Sequence, residues 1–297
     1  MFLTLIQLMI LLVSIMLSVA FFSLFERKML ALIQFRKGPN KVGLNGVMQP
    51  ISDALKLIMK FNSSPLDSLN WIYFFMPSLF FTISLLIWMV IPILKGSIYF
   101  MQSSLLFIVL CMSVSIYMVI FLGWFSNSKY SMIGSIRSVV QTISYEIILS
   151  FLILLLIIMS MSIDIMSLIF MQDEAWLVMP LLCFLPFFFI SLLAELNRTP
   201  FDVTEGESEL VSGYCVEYGG ILYTLIFLSE NSSVMFMSIM LSFITGYNFI
   251  MLLMIISLMV WIRGSLPRIR FDMIMSLCWV KMLPLLLCFL LLLVMII

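Results

Sequence analysis

Eight times in 297 residues the chain runs almost without charge for about 20 residues, the length a bilayer-spanning helix needs. The runs are 2–25, 71–94, 102–124, 134–160, 175–195, 217–243, 247–262 and 276–297. Inside lipid, only helices and closed barrels satisfy every backbone N–H and C=O. Runs this long therefore predict an all-α, polytopic membrane bundle of about eight transmembrane helices. Hydrophobic residues make up 64% of the chain and charged residues 10%. Soluble domains hold about 45–50% apolar and about 25% charged residues, so the excess apolar surface belongs in lipid. No soluble domain or low-complexity linker breaks the pattern, and 1–297 reads as one membrane domain. The first run lacks the basic start and cleavage site of a signal peptide, and is expected to be the first span. No strong internal repeat is visible, which counts against transporter folds built from duplicated halves.

Net charge is zero, so the positions of charges carry the information. With eight spans, fourteen of the fifteen Lys and Arg residues fall on one side, and Lys95 alone on the other. The positive-inside rule places the basic side in the cytoplasm or its organellar equivalent, with both termini opposite. Between the first two spans, 47–60 reads as an interfacial amphipathic helix. Val47, Ile51, Ala54, Leu55 and Ile58 share one face, and Gln49, Asp53, Lys56 and Lys60 the other. A plain surface helix resting on anionic headgroups accounts for the same pattern.

Five cysteines, Cys111, Cys183, Cys215, Cys278 and Cys288, form no C-x-x-C pair, and there is no His. Iron–sulfur or zinc ligation by this chain alone is not expected. Imidazole metal sites, bis-His haem and His-assisted nucleophiles are excluded. There is also no G-x-G-x-x-G fingerprint for a dinucleotide. The 27 Met residues fit an A/T-rich genome with a reassigned Met codon, as in many mitochondria.

Intramembrane carboxyls are costly and read as functional. Glu146 follows Arg137 by nine residues, so it lies about 13 Å deeper along its helix. Glu230 sits well inside the sixth span. The alternative for each is a carboxyl locked to a neighbouring polar group. Asp164, Asp173 and Glu174 read as an aqueous loop. The densest cluster is Glu195, Asp202, Glu205, Glu207, Glu209 and Glu217, with Arg198 among them. Carboxyls so close cannot all ionise freely, which suits proton uptake and release. A calcium site is the other use of such clusters, but the spacing matches no EF-hand.

Several stretches carry a family resemblance. They are Glu26-Arg27-Lys28, the loop from Gln34 to Gly43, Gly134 to Arg137 with Gln141 to Glu146, and Ala194 to Asp202. Glu205 to Gly213 and Pro267 to Asp272 complete the set. In order and over essentially the whole chain, they resemble the subunit 1 family of mitochondrial respiratory complex I, the NADH:ubiquinone oxidoreductases. The chain departs from that pattern at Phe61, Leu196, Thr204 and Cys215, none of which removes a carboxyl from the acidic loop. The resemblance implies a multi-pass subunit of the mitochondrial inner membrane that helps form the quinone tunnel. Arg27, Arg36, Asp53, Arg268 and Arg270 would lie at the tunnel and its mouth. A proton path would involve Glu146, Glu195, Asp202, Glu205, Glu207, Glu217 and Glu230, supported by Arg137, Tyr145 and Arg198. Ubiquinone would be substrate, with FMN and iron–sulfur clusters in partner subunits only. Partners would be the peripheral-arm and membrane-arm subunits and membrane lipids, with no nucleic acid. Two other classes stay open on the residues alone: an ion- or proton-coupled secondary transporter, and a structural anchor of a related membrane-bound hydrogenase.

Overall fold

The computed structural model describes residues 2–61, 64–65, 68, 70–91, 102–174, 183–203, 213–246 and 248–296. Among them the fold is all-α. The helices are α1 (Phe2–Ile33), α2 (Gln49–Met59), α3 (Asn70–Ile87), α4 (Ser104–Phe125), α5 (Lys129–Ser160) and α6 (Ile165–Glu174). They continue as α7 (Leu185–Glu195), α8 (Gly220–Thr245), α9 (Phe249–Ser265), α10 (Phe271–Ser276) and α11 (Leu283–Ile296). A π-helical turn, Leu277–Met282, joins α10 to α11 into one continuous rod. Six of the resulting helices are long and apolar enough to cross a membrane, and α7 and α9 are shorter apolar helices. The protein is thus a polytopic helical membrane bundle. Lys95 and residues 175–182 of the expected fifth span lie outside the described residues.

Several boundaries differ from the hydropathy reading, for one reason. Hydropathy follows the lipid-facing stretch, whereas a helix continues while its backbone bonds close internally. The 32 residues of α1 run to Ile33, so Glu26, Arg27 and Lys28 are helical and not part of a loop. Likewise α5 begins at Lys129, which puts Arg137 two turns inside it. Conversely, α8 begins only at Gly220, so Glu217 stands on the turn before it. Residues 165–174 form α6 where a loop was expected. The Ile165 amide donates to Ser104 Oγ at 2.8 Å, and buried Gln172 donates to the Ile244 carbonyl, which ties α6 to α4 and α8.

Helix α5 is the centre of the bundle, packed against α4, α7, α10, the π turn and α11. Tyr145, Ile148, Leu152 and Leu155 make its buried stripe. Where neighbours come closest, side chains are small, as membrane helix packing requires. A Cβ on Gly123 of α4 would meet Ser135 of α5. A Cβ on Gly134 of α5 would stand 2.8 Å from Gly213 Cα, in the 3₁₀ turn Gly213–Cys215. Helix α2 lies against α1 and α8, with Pro50 in its first turn. Its apolar residues Ile51, Leu55 and Ile58 are exposed, so that face turns away from the bundle.

Candidate functional site: a buried cavity lined by carboxyls and guanidinia

The ends of α1, α7 and α9 meet on a single carboxylate. Glu26, on α1, accepts from Arg198 Nη1 at 3.1 Å and from Arg263 Nη1. Arg198 follows α7 directly and extends its other nitrogen to Asn231 Oδ1 of α8 at 2.7 Å. Asn231 is itself held by donation to the Phe227 carbonyl, 2.8 Å away. At the same end, Arg27 pairs with Asp53 of α2 at 2.9 Å, and Arg268 pairs with Asp202 at 3.1 Å. Buried ion pairs hold only with such paired, hydrogen-bonded geometry. These pairs gather α1, α2, α9, the segment after α7 and the α9–α10 connection at one end of the bundle.

Beneath this rim is a cavity of about 370 Å³. Glu26, Glu195, Asp202 and Glu230 line it, with Arg198 and Arg263 on its wall. The first three carboxyls are 9%, 7% and 5% exposed. Glu195 ends α7 and one of its oxygens, Oε2, is buried without a hydrogen-bond partner among the described residues. Glu146 of α5 stands close enough to Glu195 for the two carboxyls to interact electrostatically. Glu230 of α8 accepts a hydrogen bond from the Tyr214 hydroxyl. The carboxyl-bearing helices α5 and α8 are the two most enclosed of the spans.

Main-chain ties fix the segment that bears Asp202. Gln141 of α5 donates from Nε2 to the carbonyls of Ala194 at 2.9 Å and Phe201 at 2.7 Å. The Ile269 amide donates to the Pro200 carbonyl at 3.0 Å, which brings the α9–α10 connection, and so Arg268, to Asp202.

The structure thus brings together Glu146, Glu195, Asp202, Glu230, Arg27, Arg198 and Arg268, directly or through one partner. Among the described residues, the other expected site residues do not line the cavity. Arg36 is exposed and donates to Gln34 Oε1 at 2.8 Å. Arg270 is exposed at the start of α10, and Arg137 is half-buried on α5. Tyr145 donates to the Ile274 carbonyl at 3.0 Å, a tie between α5 and α10. Glu217 is half-buried, and its carbonyl accepts from Tyr73 at 2.6 Å. Glu205 and Glu207 lie outside the described residues.

Sequence reasoning missed Glu26, Arg263, Asn231 and Tyr214 as members of the site. A carboxyl at the end of one apolar run and a cation at the end of another were the available signals. Their pairing spans 237 positions and has no local signature. Among the described residues, no group of three or more Cys, Asp or Glu side chains is placed to hold a metal ion.

Residues 6–294 match the family model described as NADH dehydrogenase. A protein of Anopheles gambiae named NADH-ubiquinone oxidoreductase chain 1 is 46% identical, over 93% of this chain and 90% of that protein. Its namesake in Apis mellifera ligustica is 45% identical, over 96% and 95%. That of Nycticebus coucang is 41% identical, over 94% and 92%.

Proposed function

The chain belongs to the NADH dehydrogenase family, and on that premise we propose that it is the chain 1 membrane subunit of a mitochondrial NADH:ubiquinone oxidoreductase. It couples quinone reduction to proton movement across the inner membrane. The observation that supports this reading is the cavity lined by Glu195, Asp202 and Glu230.

Quinone has an apolar tail that prefers lipid and a head that must reach redox centres outside it. The corner between α1 and α2 suits both ends. The exposed apolar face of α2 meets lipid, and the Arg27–Asp53 pair offers a polar rim. Most ligand sites share this build of apolar walls and few polar groups. Arg36, Arg268 and Arg270 place further cations near the head's route. FMN and iron–sulfur clusters belong to partner subunits, which dock on the cationic end. Reduction of a quinone takes up two protons with two electrons. Asp202, paired with Arg268, lines the cavity at the start of the proposed route. Glu205, Glu207 and Glu217 extend the acidic route on the loop. Glu195, Glu146 and Glu230 carry it into the membrane, supported by Arg137, Arg198 and Tyr145. Carboxyls within reach of one another or of bridging water can pass protons in this way.

The test is Glu195→Gln in the assembled complex. NADH oxidation with an artificial acceptor is expected to stay at the wild-type rate, while quinone-linked turnover and proton pumping fall together. Wild-type turnover and pumping in an assembled Glu195→Gln enzyme would sink the reading.

A further inference from the structure

We infer that Tyr214 is a proton relay between the cavity and Glu230. The inference rests on the proton path proposed above and adds a member that is not a carboxyl.

Four buried tyrosines can be compared. Tyr73, Tyr145 and Tyr218 donate their hydroxyls to the main-chain carbonyls of Glu217, Ile274 and Leu122. Those acceptors do not take up protons near neutral pH, so these three phenols act as ties between helices. Tyr214 donates to a carboxylate oxygen instead, Glu230 Oε1. A hydroxyl also has lone pairs to accept with, so a phenol can take a proton on one side and release one on the other.

Geometry fixes this hydroxyl in place. Tyr214 is in the turn Gly213–Cys215, which packs on α4 and α5. Gly134 and Gly213 approach so closely that no side chain fits between them, which holds the turn against α5. Tyr214 is buried and belongs to the same apolar cluster as Tyr73, Phe80, Leu122 and Ile226. Both Tyr214 and Glu230 line the cavity that Glu195 and Asp202 also line. A cavity of this size, with carboxyls and guanidinia in its wall, has room for several waters. Among the described residues lining the cavity, the titratable groups besides the pair are Glu195, Asp202, Cys215 and Tyr223, with Glu26 held between Arg198 and Arg263 and Arg27 beside it.

The transfer balances without any further reactant. A protonated Glu195, whose Oε2 has no hydrogen-bond partner among the described residues, gives its proton to water. That water passes one to the Tyr214 oxygen, which releases its own to Glu230. The first acid ends ionised and Glu230 ends protonated, while water and phenol end as they began. No phenolate forms at any stage.

Tyr214→Phe in the assembled complex is the test, because it keeps the ring and removes only the relay oxygen. Assembly and NADH oxidation with an artificial acceptor are expected to match wild type. Quinone-linked turnover should fall about 10²-fold, the low end of what positioned proton transfer supplies. The solvent deuterium isotope effect on the remaining turnover should rise, which a lost structural contact would not produce. Glu230→Gln is measured in parallel, and the double variant should be no slower than Glu230→Gln, since the two groups act in series. Wild-type turnover in Glu230→Gln sinks the proton path itself. Impairment of Glu230→Gln with wild-type turnover in Tyr214→Phe sinks the Tyr214 relay alone. Losses that multiply in the double variant sink the relay too, as does a Tyr214→Phe complex that fails to assemble.

Discussion

Arg198 and Glu26 are 172 positions apart in the chain, yet their nitrogen and oxygen stand 3.1 Å apart at the rim of the buried cavity. Arg263 shares the same carboxylate, so one anion holds two cations from different helices. The two sides of this cluster respond differently to substitution. Breaking a buried pair by removing one partner costs about 3–5 kcal/mol, because the other charge stays buried without compensation. Glu26→Gln strands both guanidinia and should approach that range. Arg198→Met leaves Glu26 paired with Arg263 and should cost less. The yield of assembled complex and its thermal midpoint check the order. A larger loss for Arg198→Met than for Glu26→Gln would contradict it.

The Arg27–Asp53 pair makes the opposite case. Its side chains are 48% and 29% exposed. Exposed pairs contribute about 0–1 kcal/mol. Asp53→Ala should therefore leave assembly and thermal stability unchanged. If the α1–α2 corner receives quinone, the same variant should raise KM for quinone several-fold without changing NADH oxidation by an artificial acceptor. Unchanged KM for both short- and long-tailed quinones would move the entrance elsewhere.

Sidedness can be tested directly. With the other reactive thiols replaced, a single cysteine introduced by Lys37→Cys should react with an impermeant reagent from the matrix side only. Fourteen of the fifteen basic residues share that side in the eight-span reading. Labelling of residue 37 from the intermembrane space would invert the topology.

The spans were legible because twenty apolar residues in a row have few uses other than crossing lipid. The exposed apolar face of α2 was legible from period alone. Helix α6 was not, because its ten residues are too short to register as a span and end in Asp173 and Glu174. The end of α1 was misread for a related reason. Glu26, Arg27 and Lys28 look like the start of a loop unless their partners are known. Within the candidate site, Glu146 and Glu230 stood out because a charge in an apolar run is conspicuous. Glu26, Arg263 and Tyr214 did not, since each is unremarkable until the fold sets it against another.

Backbone proximity yields another expectation. Gly134 faces Gly213 with no room for a methyl group, since its Cβ would meet backbone at 2.8 Å. Overpacking of this kind costs about 1–3 kcal/mol, and here the obstruction is main chain that cannot rotate away. Gly134→Ala should lower the thermal midpoint and push the turn bearing Tyr214 off α5. Quinone-linked turnover should then fall further than NADH oxidation by an artificial acceptor. A Gly134→Ala complex as stable and as active as wild type would show that the turn yields freely.

Glu146 gives the sharpest test of coupling. It sits on the central helix, one residue from Tyr145, whose hydroxyl locks α5 to α10. Its carboxyl interacts with that of Glu195 across the α5–α7 interface. The charge state of one is therefore felt by the other, and substitutions at the two positions are not expected to act independently. Glu146→Gln keeps size and much of the hydrogen bonding but cannot change charge. The complex should assemble, with NADH oxidation by an artificial acceptor intact, while quinone-linked turnover and pumping fall together. Because the pair acts as a unit, Glu146→Gln combined with Glu195→Gln should lose little more than the worse single variant. Losses that multiply would place the two carboxyls on separate routes. Wild-type turnover and pumping in an assembled Glu146→Gln enzyme would remove Glu146 from the path and leave the coupling to Asp202 and Glu195 at the cavity.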